Sequence, residues 1–212
     1  MIKTFKERLK VSVKWFLPLF LFTFLPLLSC SESEDEVTNE YANWQTRNEA
    51  YIADIAKKCQ RVKVYTKDLL EEGSASDYVY YEVLQQGDGG DSPYYSDTVR
   101  ISYRGRLIPT TSYPEGVVFE ETYTGPFDWQ TTGVSTTTLT GLIDGFTTIL
   151  QYMHRGDRWR VYIPYQLAYN TTKKENIPVY STLIYDLALI DFTHPGYSLP
   201  RWSSRQAADF SE

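Results

Sequence analysis

The sequence predicts an α+β domain, an antiparallel sheet with one short helix packed across it, preceded by a separate amphipathic helix. Two patterns and their order carry the prediction. Over residues 77–107 and again over 156–189, apolar and polar side chains alternate with the period of two that marks a half-buried strand. Between these stretches Phe146, Ile149, Leu150 and Met153 fall at i, i+3, i+4 and i+7, the stripe of a short helix closed by Gly156. Strands, one helix and then two more strands describe helix-on-sheet packing, and no internal repeat interrupts it.

The elements follow in chain order. Residues 1–29 have the form of an export signal: Lys3, Lys6, Arg8, Lys10 and Lys14 precede an apolar run over 15–28 that is shorter than the ~20 residues of a spanning helix. It ends in Leu27-Leu28-Ser29-Cys30, which resembles the lipobox of bacterial lipoproteins. That resemblance implies lipid on Cys30, a membrane anchor, and a place in the cell envelope of a Gram-negative bacterium, at the outer membrane and facing the periplasm or the surface. Residues 30–37 are an acidic tether, which no core could use. Residues 38–76 contain one amphipathic helix, over 38–60, and a connector loosest at Gly73-Ser74-Ala75-Ser76. Tyr41, Trp44, Tyr51, Ile52 and Ile55 form the apolar stripe of the helix, and Thr38 or Asn39 is placed to cap its start. The stripe must be buried either against the chain's own domain or in a homodimer with a second copy.

Residues 77–193 form the main domain. Val99, Ile101, Tyr103 and Leu107 share one face of its clearest strand, with Arg100, Ser102, Arg104 and Arg106 on the other. Gly105 interrupts the apolar row, the mark of a bulge or of a close backbone approach. The threonine-rich stretch 122–138 reads as a loop or insertion. In 156–170, Trp159, Val161 and Ile163 alternate with Arg158, Arg160 and Tyr162 until Pro164, which brings no N–H to a ladder, ends the strand. A last strand runs over 183–189, and 194–212 reads as a polar tail.

Several chemistries are excluded. A net charge of −6 with scattered Lys and Arg gives no footprint for nucleic acid. His154 and His194 are the only histidines and neither has ligand spacing around it, so no metal is expected. No cofactor is expected either, since no phosphate-cradling glycine loop is present. With Cys30 lipidated, Cys59 is a lone thiol and no intramolecular disulfide forms. Glu120 and Glu121 are adjacent on a strand and therefore face opposite ways. What remains is a set of aromatic and aliphatic residues at strand ends around one acid, which describes an apolar pocket.

Six pieces in order carry a family resemblance: Val99-x-Ile101-x-Tyr103-x-Gly105-x-Leu107; Phe119-Glu120; Leu142-Ile143-x-Gly145-Phe146; Met153-x-x-Gly156-x-Arg158; Ile163-Pro164-x-x-Leu167-Ala168-Tyr169; and Ile177-Pro178 with Leu183-Ile184-Tyr185-Asp186-Leu187. Over residues 77–192 this order resembles the FKBP family of peptidyl-prolyl cis–trans isomerases. The resemblance implies a twisted antiparallel half-barrel whose concave face, closed by the short helix, holds the proline of a polypeptide client. It assigns catalytic positions to Tyr103, Phe119, Glu120, Ile143, Phe146 and Tyr169, and substrate contacts to Leu142, Tyr185 and Ile177. In the family the backbone N–H at the Ile143 position and the hydroxyl at the Tyr169 position donate to carbonyls of the bound peptide. The chain departs from the family pattern at Glu120, where aspartate is usual, at Phe146, where tryptophan is usual, and at Asn170, where glycine is usual. Thr137 stands where the family has an aromatic. The same pocket without catalysis would make a peptide-binding module, the second function this sequence admits.

Overall fold

The computed structural model describes residues 39–64, 66 and 72–203, so the export segment, the lipobox Cys30, the acidic tether and Thr38 lie outside the described residues. Helix α1 (Trp44–Ile55) comes first, then strands β1 (Gln60–Lys63), β2 (Tyr78–Gln85), β3 (Thr98–Arg106), β4 (Val118–Glu121) and β5 (Ser135–Thr138). Helix α2 (Asp144–Leu150), β6 (Arg158–Ile163) and β7 (Leu183–Thr193) complete it. The strands form one antiparallel sheet in the order β1-β2-β6-β7-β3-β4, with β5 also paired to β3. This is the α+β architecture expected, with α2 as the one short helix against the sheet.

Register turns the sequence periodicity into two faces. Val161 pairs with Tyr185 and Tyr185 with Gly105, while Trp159 pairs with Leu187 and Leu187 with Tyr103, so the apolar rows of the three central strands meet on one face. Helix α2 covers that face with Phe146, Ile149 and Leu150, all buried. A Cβ added at Gly145 would lie 2.4 Å from Ile163 Cγ2, so only glycine lets the helix come this close to β6.

The opposite face is also covered, which alternation alone does not predict. Arg100, Ser102, Asp186, Ala188 and Ile190 are all buried there. Toward one end α1 supplies the cover, and its Tyr51 ring meets Tyr162 of β6 at 6.3 Å. Elsewhere Trp129 packs with Ala188 and Ile190, flanked by Phe127, Val134 and Trp202. The stretch 122–138 therefore contains a small second core and a strand, rather than only a loop. Residues 194–203 are tied down too, since Arg100 Nη2 donates to the Pro200 carbonyl at 2.5 Å.

Other expectations change in detail. The first helix spans Trp44–Ile55 rather than 38–60, because Asn43 enters it in the left-handed region (φ 52) after a turn. Asn39 takes part in that turn, accepting from the Tyr41 and Ala42 backbone N–H groups, and is not the cap. Tyr41 stays exposed, and the stripe is completed by a polar residue, the fully buried Asn48. Trp44, Ile52 and Ile55 join the main core, so the chain's own domain covers the stripe. Burial of each contributes ~1.5–3 kcal/mol. The connector begins with β1, whose only buried residue is Val62, and such a strand shows no alternation to read. The last strand runs on to Thr193 and is buried on both faces over Leu183–Ile190.

Candidate active site

A cavity of about 340 Å³ opens on the face that carries α2, within the ~300–1,000 Å³ typical of ligand sites. Its wall brings together Tyr103, Glu120, Leu142, Ile143, Phe146, Tyr169 and Tyr185, seven of the residues singled out from the sequence. Ile101, Ser135, Thr137, Gly141 and Lys174 complete it.

The floor is aromatic and packed edge to face. Phe146 meets Tyr185 at 4.8 Å and 78°, and Tyr103 meets Tyr185 at 5.9 Å and 75°. Such crossings satisfy the ring quadrupoles and hold each ring in one orientation. Gly105 makes the packing possible: a Cβ there would lie 2.6 Å from Phe119 Cζ and 2.8 Å from Tyr185. The β3–β4 register also shifts at Gly105/Arg106, so this position is both the bulge and the close approach that the interrupted row suggests.

Tyr169 reaches the wall because the chain reverses after β6. Pro164 ends the strand, Tyr165–Leu167 make one 3-10 turn, and the Asn170 N–H donates back to the Tyr165 carbonyl at 2.8 Å. Asn170 has φ 53, the left-handed conformation that asparagine tolerates best among non-glycine residues. Asparagine at this position thus keeps the backbone geometry. Ile143 lies just before α2 in an extended conformation (φ −64, ψ 150). Its carbonyl accepts from Thr147 N–H at 3.0 Å, and its own N–H has no acceptor among the described residues.

Burial, then hydrogen bonding and charge from Glu120, push the Tyr103 phenol well above its ordinary range. Burial, then the Glu120 charge, raises Tyr169, and burial above all raises Tyr185. All three remain protonated at neutral pH. The Tyr103 hydroxyl donates to the Glu120 carboxylate, whereas Glu121 faces away and accepts from Arg104 Nε at 2.6 Å. The neighbouring acids therefore do not cooperate.

Two predicted residues lie off the wall. Phe119 stands behind it, edge-on to Tyr185 at 5.7 Å, and supports the floor without lining the cavity. Ile177 is buried in the core, because a tight turn pairing it with Lys174 tucks its side chain inward. Lys174 itself is a wall residue that sequence reasoning missed; its Nζ sits 5.0 Å from the centre of the Tyr169 ring. Nothing in Lys173-Lys174-Glu175 signals this, since the placement comes from the turn. The histidines stand elsewhere, His154 against Asp157 at 3.3 Å and His194 against Asp97 at 2.9 Å.

Comparison with known proteins agrees with this geometry. The family model for FKBP-type peptidyl-prolyl cis-trans isomerase matches residues 89–190. The macrophage infectivity potentiator of Trypanosoma cruzi is 30% identical over 171 residues, covering 80% of this chain and 79% of that protein. FkpA, an FKBP-type peptidyl-prolyl cis-trans isomerase of Escherichia coli, is 32% identical over 143 residues, covering 65% of this chain and 47% of FkpA. The chain thus spans about half of that relative. The crystal structure of E. coli FkpA superposes with a TM-score of 0.55 at 27% identity, over 72% of this chain and 61% of that one. A Pseudomonas syringae peptidyl-prolyl isomerase structure shares the fold at TM-score 0.53 and 21% identity, over 73% of this chain and 96% of that one. The chain belongs to the FKBP-type peptidyl-prolyl cis–trans isomerases, and isomerisation of Xaa–Pro bonds is the activity of that class.

Proposed function

We propose that this chain isomerises prolyl bonds in polypeptides exported to the bacterial cell envelope, where lipid on Cys30 holds it at a membrane. The observation that carries the catalytic part is the aromatic cavity with two donors at its wall that have no acceptor among the described residues, the Ile143 N–H and the Tyr169 hydroxyl. Rotation about Xaa–Pro faces the ~18–20 kcal/mol that amide resonance imposes, and requires no nucleophile. A twisted amide has lost its resonance dipole, so a cavity with an apolar floor disfavours the planar ground state relative to the transition state. Phe146, Tyr185 and Tyr103 supply that cavity; Ile143 N–H and Tyr169 orient the peptide carbonyls; Glu120 fixes the Tyr103 hydroxyl. Bringing tens of seconds to milliseconds is about four decades, or ~5–6 kcal/mol, within reach of shape, desolvation and fixed donors.

The envelope location rests on the export signal and lipobox, and is supported by a relative whose name is outer membrane protein MIP, from Legionella longbeachae, 34% identical over 113 residues. A homodimer would have to use surface other than the α1 stripe, which is buried in the chain's own core. Two assays test the proposal. The detergent-solubilised chain should accelerate isomerisation of a Xaa-Pro peptide, whereas affinity without turnover would select the binding module. Labelled palmitate should enter the wild type and not Cys30→Ser, and labelling of both would remove the anchor.

A further inference from the structure

We propose that helix α1, which lies outside the residues matched by the family model, is a positioning element of the isomerase site that acts on Tyr169 through Tyr165. The inference rests on the isomerase reading above and concerns the segment 164–182. That segment leaves β6, carries the wall residues Tyr169 and Lys174, and returns to β7. Both of its ends are bonded to α1. At the exit, Trp44 Nε1 donates to Ser181 Oγ at 2.9 Å, Ser181 Oγ donates to the Pro178 carbonyl at 2.7 Å, and Thr182 N–H donates to Asn48 Oδ1 at 2.7 Å. At the entrance, the Tyr165 hydroxyl donates to Glu49 Oε1 at 3.0 Å and accepts from Gln45 Nε2 at 3.3 Å.

Tyr165 then passes this constraint to the site. Its carbonyl accepts the Asn170 N–H at 2.8 Å, the Asn170 carbonyl accepts the Tyr180 N–H at 2.9 Å, and the Tyr165 and Tyr180 rings cross at 5.3 Å and 90°. Tyr169 is the residue next to Asn170, so the turn that aims its hydroxyl is built on Tyr165. A cavity of about 210 Å³ opens beside the entrance, with Asn48, Glu49 and Ile52 of α1, residues 74–76, and Tyr165 and Thr182 in its wall. The Tyr165 hydroxyl bonds tie α1 to the turn at this point. A buried aromatic with a bonded hydroxyl orients a turn at low entropic cost, since only two side-chain angles are fixed.

Tyr165→Phe keeps the ring and removes the tie. In the detergent-solubilised chain, hydrogen exchange over residues 166–181 should rise while exchange in β7 stays unchanged. For a proline peptide, kcat/KM should fall about three- to tenfold, the ratio one hydrogen bond gives. In a Tyr169→Phe background the same substitution should cost less than about twofold, because the coupled residue is already disabled. Glu49→Ala should reproduce the exchange change and Glu49→Gln, which keeps an acceptor oxygen, should show less of it; this pair decides if Tyr165→Phe does not fold. Unchanged exchange would overturn the clamp, and equal losses of activity in both backgrounds would overturn its action on Tyr169. A wild-type chain without turnover would overturn the isomerase reading instead, with the exchange comparison still deciding the clamp.

Discussion

The two faces of the central sheet are built from the same strands and solve opposite problems. The face under α2 gathers Tyr103, Tyr185 and Phe146 around a cavity, and the Ile143 N–H at its wall has no acceptor among the described residues. On the other face most polar groups are paired, with Arg100 Nη1 and Arg158 Nε left without a hydrogen-bond partner among the described residues: Asp186 accepts from Arg160 Nε at 2.7 Å and from Arg106 Nη1 at 3.0 Å, and Ser102 shares its hydroxyl with Thr122 and Thr132. A site keeps donors unspent, whereas a structural face pairs them. Five predictions, taken from large effects to small, press on this contrast.

Asp186→Ala strikes the structural face. Burial opposes ionisation of Asp186, but hydrogen bonds and charge from Arg160 and Arg106 outweigh it and hold the carboxyl below its ordinary value. Removing it leaves two cations facing each other, at a cost of ~3 kcal/mol, toward the low end for a broken buried pair because Arg160 is partly exposed. Chemical denaturation should show that loss, while kcat per folded molecule stays as in the wild type. Gly105→Ala strikes the other face, forcing Phe119 and Tyr185 apart. An overpacking cost of ~1–3 kcal/mol is expected, together with loss of peptide affinity in calorimetry. Tyr169→Phe should weaken peptide binding by ~0.5–1.5 kcal/mol, one hydrogen bond, with the thermal midpoint unmoved.

The fourth prediction uses pH. The pocket phenols are raised above the ordinary 10.0, so their contribution to stability is fully present below pH 10 and is lost as pH rises above it toward the folded values. Asp186 behaves oppositely: its contribution is present above the ordinary 3.8 and lost as pH falls through its lower folded value. Peptide affinity should therefore be flat from pH 7 to pH 10, and a decline centred near neutrality would contradict the donor assignment. The smallest effect is at Cys59. Burial, then a hydrogen bond to the Glu82 carboxylate, pushes its thiol up to about 11, so alkylation at pH 7 should be slower than for a free thiol.

The contrast also marks what the sequence reveals. Of the residues that line the cavity, Tyr103 and Tyr185 were legible in strand alternations and Phe146 in a helical stripe, whereas Glu120, Leu142, Ile143 and Tyr169 were placed by the resemblance to the FKBP family. Asn170 could be assigned its left-handed turn, since few side chains other than glycine accept it. The structural face was legible only where α1 covers it, because its other covers lack periodicity: Trp129 and Trp202 come from irregular segments. Nothing in the sequence marks Asn48, whose partner, the Thr182 backbone, is 134 residues away. Long-range polar pairing leaves no local signature, whereas apolar burial does.

The most direct test compares the two faces by magnetisation exchange between the cis and trans signals of a proline peptide, with the wild-type chain, Tyr169→Phe and Asp186→Asn side by side. The predicted result is catalysed exchange in the wild type, the same rate per folded molecule in Asp186→Asn, and a slower rate in Tyr169→Phe. Exchange no faster than in buffer for the folded wild type, or a loss equal in both variants, would contradict the assignment of the α2-covered cavity as the catalytic site.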